Sequence, residues 1–156
     1  EDAATLGALF AGDHQVRVIA LDGWLAIGAQ LPPKEKRGLV LVDPPFEARD
    51  EFARVRELLE KSLARFAGGI YAVWYPLKNR HEADRFVRAL AALDREALDI
   101  RFDNGAQREG QMRECGMAIV HPPYQLEQAL APALAYLARA LAQGGGAHYV
   151  MRRAAA

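Results

Sequence analysis

The apolar positions of this chain change period as it advances, and each change marks an element. Ala3 to Phe10 reads as the tail of a helix, and Gln15 to Leu21 (QVRVIAL) as a β-branched strand running into an Asp22-Gly23 loop. A polar, proline-stiffened connection, Leu31 to Gly38, leads into the uninterrupted apolar run Leu39 to Val42, which ends at Asp43-Pro44-Pro45-Phe46. A continuous run, unlike an alternating one, predicts a strand buried on both faces inside a parallel sheet. After Arg49 the period becomes helical. Phe52, Val55, Leu58, Leu59, Leu63 and Phe66 share a stripe, Asp50/Arg54 and Glu57/Lys61 form i,i+4 pairs opposite it, and Gly68-Gly69 stops the helix.

Ile70 to Tyr75 is the next predicted strand, closed by Pro76, and Asn79 with Glu82 resembles a capping box for a helix that buries Phe86, Val87, Leu90 and Leu93. Leu98 to Phe102 and Cys115 to Val120 follow as strands around a polar loop, the second ending at His121-Pro122-Pro123-Tyr124. A last helix over Gln125 to Leu141 contains Pro132 and ends at Gly144-Gly145-Gly146; His148 to Met151 adds an edge strand, and residues 152–156 read as a disordered tail. The alternation predicts a single α/β domain over residues 1–156, a three-layer sandwich with a largely parallel sheet.

Composition narrows the possibilities. A chain of 156 residues, 51% hydrophobic and 26% charged, suits one folded domain and excludes disorder as its dominant state. Net charge is zero, so no global positive field advertises a nucleic-acid partner, although 16 of the 20 basic residues are arginine. Cys115 stands alone, which excludes an internal disulfide, and His14, His81, His121 and His148 have no cysteines at zinc spacing. No metal site is expected. No apolar run approaches the roughly 18–20 residues that span a bilayer, so the chain reads as cytoplasmic, with no membrane partner.

The chemistry concentrates at Asp43-Pro44-Pro45-Phe46, because ligands of open α/β sheets bind beyond the carboxyl ends of strands. An exocyclic or amide nitrogen is a poor nucleophile, since its lone pair is delocalised. An enzyme that alkylates it must hold both N–H bonds so that the lone pair faces the incoming group. The Asp43 carboxylate supplies one acceptor and the Pro44 carbonyl the second, Pro44 and Pro45 stiffen the loop, and Phe46 offers a flipped base an apolar face. The plainer alternative is that Asp-Pro-Pro ends a strand and delays the next helix. His121-Pro122-Pro123-Tyr124 shares the prolines, but a neutral imidazole has only one ring acceptor, so it reads as structural. Asp22 with Gly23 could meet an adenine cofactor or form a simple turn. Lys34, Lys36 and Arg37 form either a solvated connection or a phosphate contact, and Cys115 reads as core.

Two stretches, Leu31-Pro32-Pro33 through Arg37-Gly38-Leu39-Val40-Leu41-Val42-Asp43-Pro44-Pro45-Phe46-Glu47, and Arg65-Phe66-Ala67-Gly68-Gly69-Ile70 to Pro76, carry a resemblance. With Asp22-Gly23-Trp24, Gly116 to Val120 and Leu126-Glu127-Gln128, they resemble the bacterial 23S ribosomal RNA adenine-N6 methyltransferases of the J type over nearly the whole chain. The resemblance implies a class I, Rossmann-like fold, S-adenosylmethionine as methyl donor, and 23S ribosomal RNA as partner, in a protein monomeric at full length. It makes Asp43, Pro44, Pro45 and Phe46 the catalytic motif and assigns Asp22, Gly23 and Asp43 to the cofactor; Phe46 stands where relatives commonly have Tyr. The family's opening strand and glycine-rich loop are not in this sequence. The chain is therefore expected to be the C-terminal part of such an enzyme, folded from Leu39 onward, lacking the first strands and weak or inactive alone. DNA-adenine and protein-glutamine amino-methyltransferases, or a non-catalytic interaction domain, are the alternatives.

Overall fold

The structure is a computed structural model describing residues 2–94, 96–108 and 110–155. The chain divides into two compact units, Glu1–Leu31 and Pro32–Ala156. The first holds two short helices, α1 (Asp2–Leu9) and α2 (Gly23–Gln30), neither of which buries a residue. The strand predicted over Gln15 to Leu21 is not formed; its backbone makes only local bonds, Val16 N–H to the Asp13 carbonyl and Leu21 N–H to the Ile19 carbonyl. Branched side chains favour extended backbone, but a strand exists only where a neighbour completes its ladder.

The second unit contains β1 (Leu39–Val42), α3 (Glu51–Arg65), β2 (Ile70–Pro76), α4 (Arg80–Asp94), β3 (Glu96–Asp103), β4 (Glu114–Val120), α5 (Leu126–Ala140) and β5 (His148–Ala155). The five strands lie in the order β1-β2-β4-β3-β5. Only β1 and β2 are parallel; β2/β4, β3/β4 and β3/β5 are antiparallel. The expected largely parallel sheet is thus a mixed one. The loop over residues 104–113 joins β3 to β4 as neighbours, and a direct connection between adjacent strands reverses the chain.

Side chains alternate across the sheet. Tyr71 and Tyr75 of β2 face α3 and α4: the Tyr71 hydroxyl donates to the Ser62 and Phe66 carbonyls at 3.0 and 2.9 Å, and the Tyr75 ring meets Phe86 edge-on at 5.7 Å. Val55, Leu59, Val87 and Leu90 complete that core, each buried apolar side chain contributing about 1.5–3 kcal/mol over an exposed one. Ala72, Leu98, Ile100 and Ile119 gather against Leu126, Leu130 and Leu134 of α5.

Two further expectations change. Leu39 and Leu41 are 64% and 63% exposed, so β1 is not buried on both faces. It is an edge strand, and an apolar run cannot reveal which neighbours it has. Residues 152–155 are not a loose tail but the end of β5, paired with β3. There Arg152 Nε donates to Asp99 Oδ2 at 2.9 Å, beside Arg101 Nε at 2.9 Å and the Tyr75 hydroxyl on the other carboxylate oxygen. Asp99 is fully buried, and three donors offset the cost of burying its charge. Asp84 accepts from both arginines in turn. Gly116 of β4 makes the cluster possible, because a Cβ there would occupy the Tyr75 ring.

Candidate active site

The register fixes which loops meet. Val42 pairs with Val73, so the end of β1 shares one edge of the sheet with the end of β2, the end of β3 at Asp103, and the starts of β4 at Glu114 and β5 at His148. Asp43 emerges there. Its side chain is exposed and accepts no hydrogen bond among the described residues, which leaves the carboxylate available to a ligand. Pro44 is half-buried and Pro45 exposed.

Phe46 behaves differently from the expectation. Its backbone is left-handed, φ 52°, an unusual state for a bulky residue that costs about 1–3 kcal/mol. That turn sends the ring inward, 4.9 Å from Phe52 and 6.2 Å from Trp74 between centroids, with Phe86 4.6 Å beyond Phe52. Phe46 is 8% exposed, which leaves little of it for a base to stack on. In this arrangement it anchors the loop. The far end of the loop is tied by Glu51: Ala48 N–H donates to Glu51 Oε2 at 3.2 Å, while Glu51 N–H reaches back to the Ala48 carbonyl at 3.4 Å. Sequence reasoning missed Glu51, because Ala48 has no side-chain acceptor and the pair carries no capping-box signal.

The basic cluster before β1 and the second proline motif lie apart from Asp43. Lys34, Lys36 and Arg37 are exposed and precede β1, so they sit at the opposite end of that strand. His121 follows Val120, which pairs with Tyr71 at the start of β2, and therefore also lies at the opposite sheet edge; its Nδ1 is 3.3 Å from the Gly69 carbonyl. Tyr124 is 91% exposed. Asp22 and Gly23 belong to the first unit. Asp22 caps α2, its Oδ1 accepting from Trp24 N–H at 2.8 Å, and a Cβ on Gly23 would meet open space. Asp22 commits Oδ1 to the α2 cap, whereas neither carboxylate oxygen of Asp43 has a hydrogen-bond partner among the described residues.

Charges near the Asp43 edge are mostly paired. Arg80 meets Glu114 at 2.7 Å and Arg113 meets Asp103 at 3.0 Å. Hydrogen bonds from Arg152 and Arg101 pull the Asp84 carboxyl down to about 2, and Arg113 lowers Asp103. Burial, reinforced by Asp99, pushes the Tyr75 phenol up, and burial likewise raises the Cys115 thiol, so neither ionises near neutrality. Among the described residues no cluster of His, Cys, Asp and Glu could hold a metal ion, and no helix is long and apolar enough to cross a membrane.

A free carboxylate on a proline-stiffened loop beyond the end of a strand can accept an N–H from a ligand. Residues 1–153 match the family described as "Ribosomal RNA large subunit methyltransferase D, RlmJ", and the chain belongs to that family. It is 37% identical to "Ribosomal RNA large subunit methyltransferase J" of Haemophilus influenzae, covering 87% of this chain and 49% of the relative. It is 35% identical to the Escherichia coli protein of the same name, covering 94% and 53%. The crystal structure of protein LPL1258 from Legionella pneumophila superposes with a TM-score of 0.74 at 28% identity, over 85% of this chain and 49% of that one. The chain thus spans about half the length of the curated relatives it matches.

Proposed function

We propose that this chain carries the catalytic loop of a methyltransferase that modifies N6 of an adenine in 23S ribosomal RNA, with S-adenosylmethionine as the donor and a class I, Rossmann-like sheet as the scaffold. The observation that carries the reading is the exposed, unpartnered Asp43 carboxylate at the end of β1, on a loop pinned by Phe46 and Glu51. The names of the relatives supply the ribosomal RNA.

In this reading Asp43 accepts one N–H of the adenine amino group and the Pro44 carbonyl accepts the other. Holding both directs the nitrogen lone pair away from the loop, and the developing positive charge on nitrogen is stabilised by the carboxylate. Pro44 and Pro45 restrict backbone rotation, so the two acceptors keep their spacing. The aromatic cluster of Phe46, Phe52 and Trp74 keeps the loop seated while the base arrives. S-adenosylmethionine supplies the methyl group.

The test is transfer of labelled methyl from S-adenosylmethionine by the full-length protein to protein-free 23S ribosomal RNA, to DNA and to a protein extract, followed by nucleoside analysis. Label in N6-methyladenosine of the RNA, lost in Asp43→Ala, is the expected result. Label confined to DNA or to glutamine, or undiminished transfer by Asp43→Ala, overturns the proposal.

A further inference from the structure

The sheet edge that presents Asp43 also carries a polar cavity that the loop chemistry does not use. It has a volume of about 430 Å3 and is lined by Gln107, Arg108, Gln111, Gln143, Gly144 and Gly145. Its walls come from Gln107, Arg108 and Gln111, between β3 and β4, and from the turn between α5 and β5. Gln143 N–H donates to the Asn104 carbonyl at 2.7 Å, and the two backbones touch at Gly105 and Gly144. A Cβ on Gly105, whose φ is 73°, would lie 2.6 Å from the Gly144 carbonyl oxygen, and one on Gly144 would collide with the Gly105 carbonyl. Only glycines permit this approach, so the walls of the cavity are locked together by main chain and not by side chains.

The chemistry of the lining is specific. Three carboxamides and one guanidinium line it, and among the described residues no carboxylate contributes to the wall. Neighbouring arginines are neutralised: Arg80 by Glu114, Arg113 by Asp103, and Arg101 and Arg152 by Asp84 and Asp99. Arg108 is exposed and has no acidic partner among the described residues; Glu109 lies outside them. A guanidinium fork suits a phosphate, and carboxamides both donate to phosphate oxygens and pair with base edges. The volume falls within the range of about 300–1,000 Å3 usual for ligand sites, enough for a nucleotide.

We propose that this cavity is a second RNA-contact site, in which Arg108 holds a backbone phosphate and Gln107, Gln111 and Gln143 hold the adjoining ribose or base. The inference rests on the proposed RNA methylation and adds a place where the strand is held away from the target base. The cavity is lined by residues that follow the end of β3 and precede the starts of β4 and β5, and β3 is three strand spacings, about 14 Å, from β1. That span is the reach of a few nucleotides of single-stranded RNA.

The test measures binding of protein-free 23S ribosomal RNA by the full-length protein across a salt series, together with methyl-transfer kinetics. Arg108→Ala is expected to raise KM for RNA about tenfold with kcat within about twofold. It should also reduce the slope of log affinity against log salt by about 0.7–0.9, the loss of one phosphate contact. Arg108→Lys restores the slope, and Gln107→Ala with Gln111→Ala raises KM without changing it. If methyl transfer to RNA occurs but Arg108→Ala matches the parent in KM and salt slope, the cavity proposal is overturned and the function stands. If no methyl reaches RNA, yet Arg108→Ala still lowers RNA affinity and salt slope, the function falls and the RNA site stands.

Discussion

Two tetrapeptides in this chain look alike: Asp43-Pro44-Pro45-Phe46 after β1 and His121-Pro122-Pro123-Tyr124 after β4. Each ends a strand with two prolines and an aromatic ring, and each contains a residue of left-handed backbone, Phe46 at φ 52° and His121 at φ 57°. Their surroundings are opposite. Because β4 runs antiparallel to β2 and β1 runs parallel to it, the two motifs leave the sheet at opposite edges. In the first the aromatic ring is buried and the polar residue is exposed and unpartnered; in the second the ring is almost wholly in solvent and the imidazole rests against the Gly69 carbonyl. What differs between the two motifs is which residue the turn sends inward, and for Phe46 that depends on the aromatic neighbours Phe52 and Trp74.

The largest test of this contrast exchanges the rings for alanine. Phe46→Ala is expected to destabilise the 32–156 unit by about 3–5 kcal/mol, as the loss of a buried phenylalanine does. Tyr124→Ala should stay within about 0.5 kcal/mol. Urea midpoints measure both, and equal losses would remove the distinction. Next comes activity: Asp43→Ala should lower kcat for methyl transfer by about 10²–10³-fold, the scale of one lost preorganised partner. His121→Ala should leave kcat within about twofold.

A smaller effect probes the support beneath the Asp43 edge. Gly116→Ala places a methyl group in the space of the Tyr75 ring and should cost about 1–3 kcal/mol, seen as a lowered thermal midpoint. The smallest is a pH effect. Asp84 titrates at about 2 in the folded chain, against about 3.9 when unfolded. A depressed carboxyl stabilises the fold above its unfolded value, so this contribution is complete above pH about 4 and disappears as the pH falls toward about 2. Asp84→Asn should flatten that part of the acid limb when thermal midpoints are compared across it.

Particular residues show how far the sequence could be read. The run Leu39 to Val42 identified its strand, and Asn79 identified a helix start, where its Oδ1 accepts from His81 and Glu82 N–H groups. Both signals are local. The exposure of Leu39 and Leu41 was not legible, because an edge strand and an interior strand can share one composition and differ only in neighbours. The end of β5 read as tail for the same reason: Arg152 and Ala154 gain order from β3 and from the Asp99 and Asp84 carboxylates, all distant in sequence. Asp43 was legible as an acceptor from its type and its place after a strand, whereas the burial of Phe46 required rings from α3 and β2.

By itself, then, the sequence determined the order of the elements from Leu39 onward, the stiffness of the Asp43 loop and the chemistry that loop can offer, because period, proline and side-chain type act within a few residues. Only the tertiary structure decided that the sheet is mixed, that two similar motifs face opposite edges, and that Arg108 and Gln143 line one cavity between two glycine-locked loops. Those outcomes depend on strand pairing between distant segments, and a pairing is a property of two partners that neither segment encodes alone.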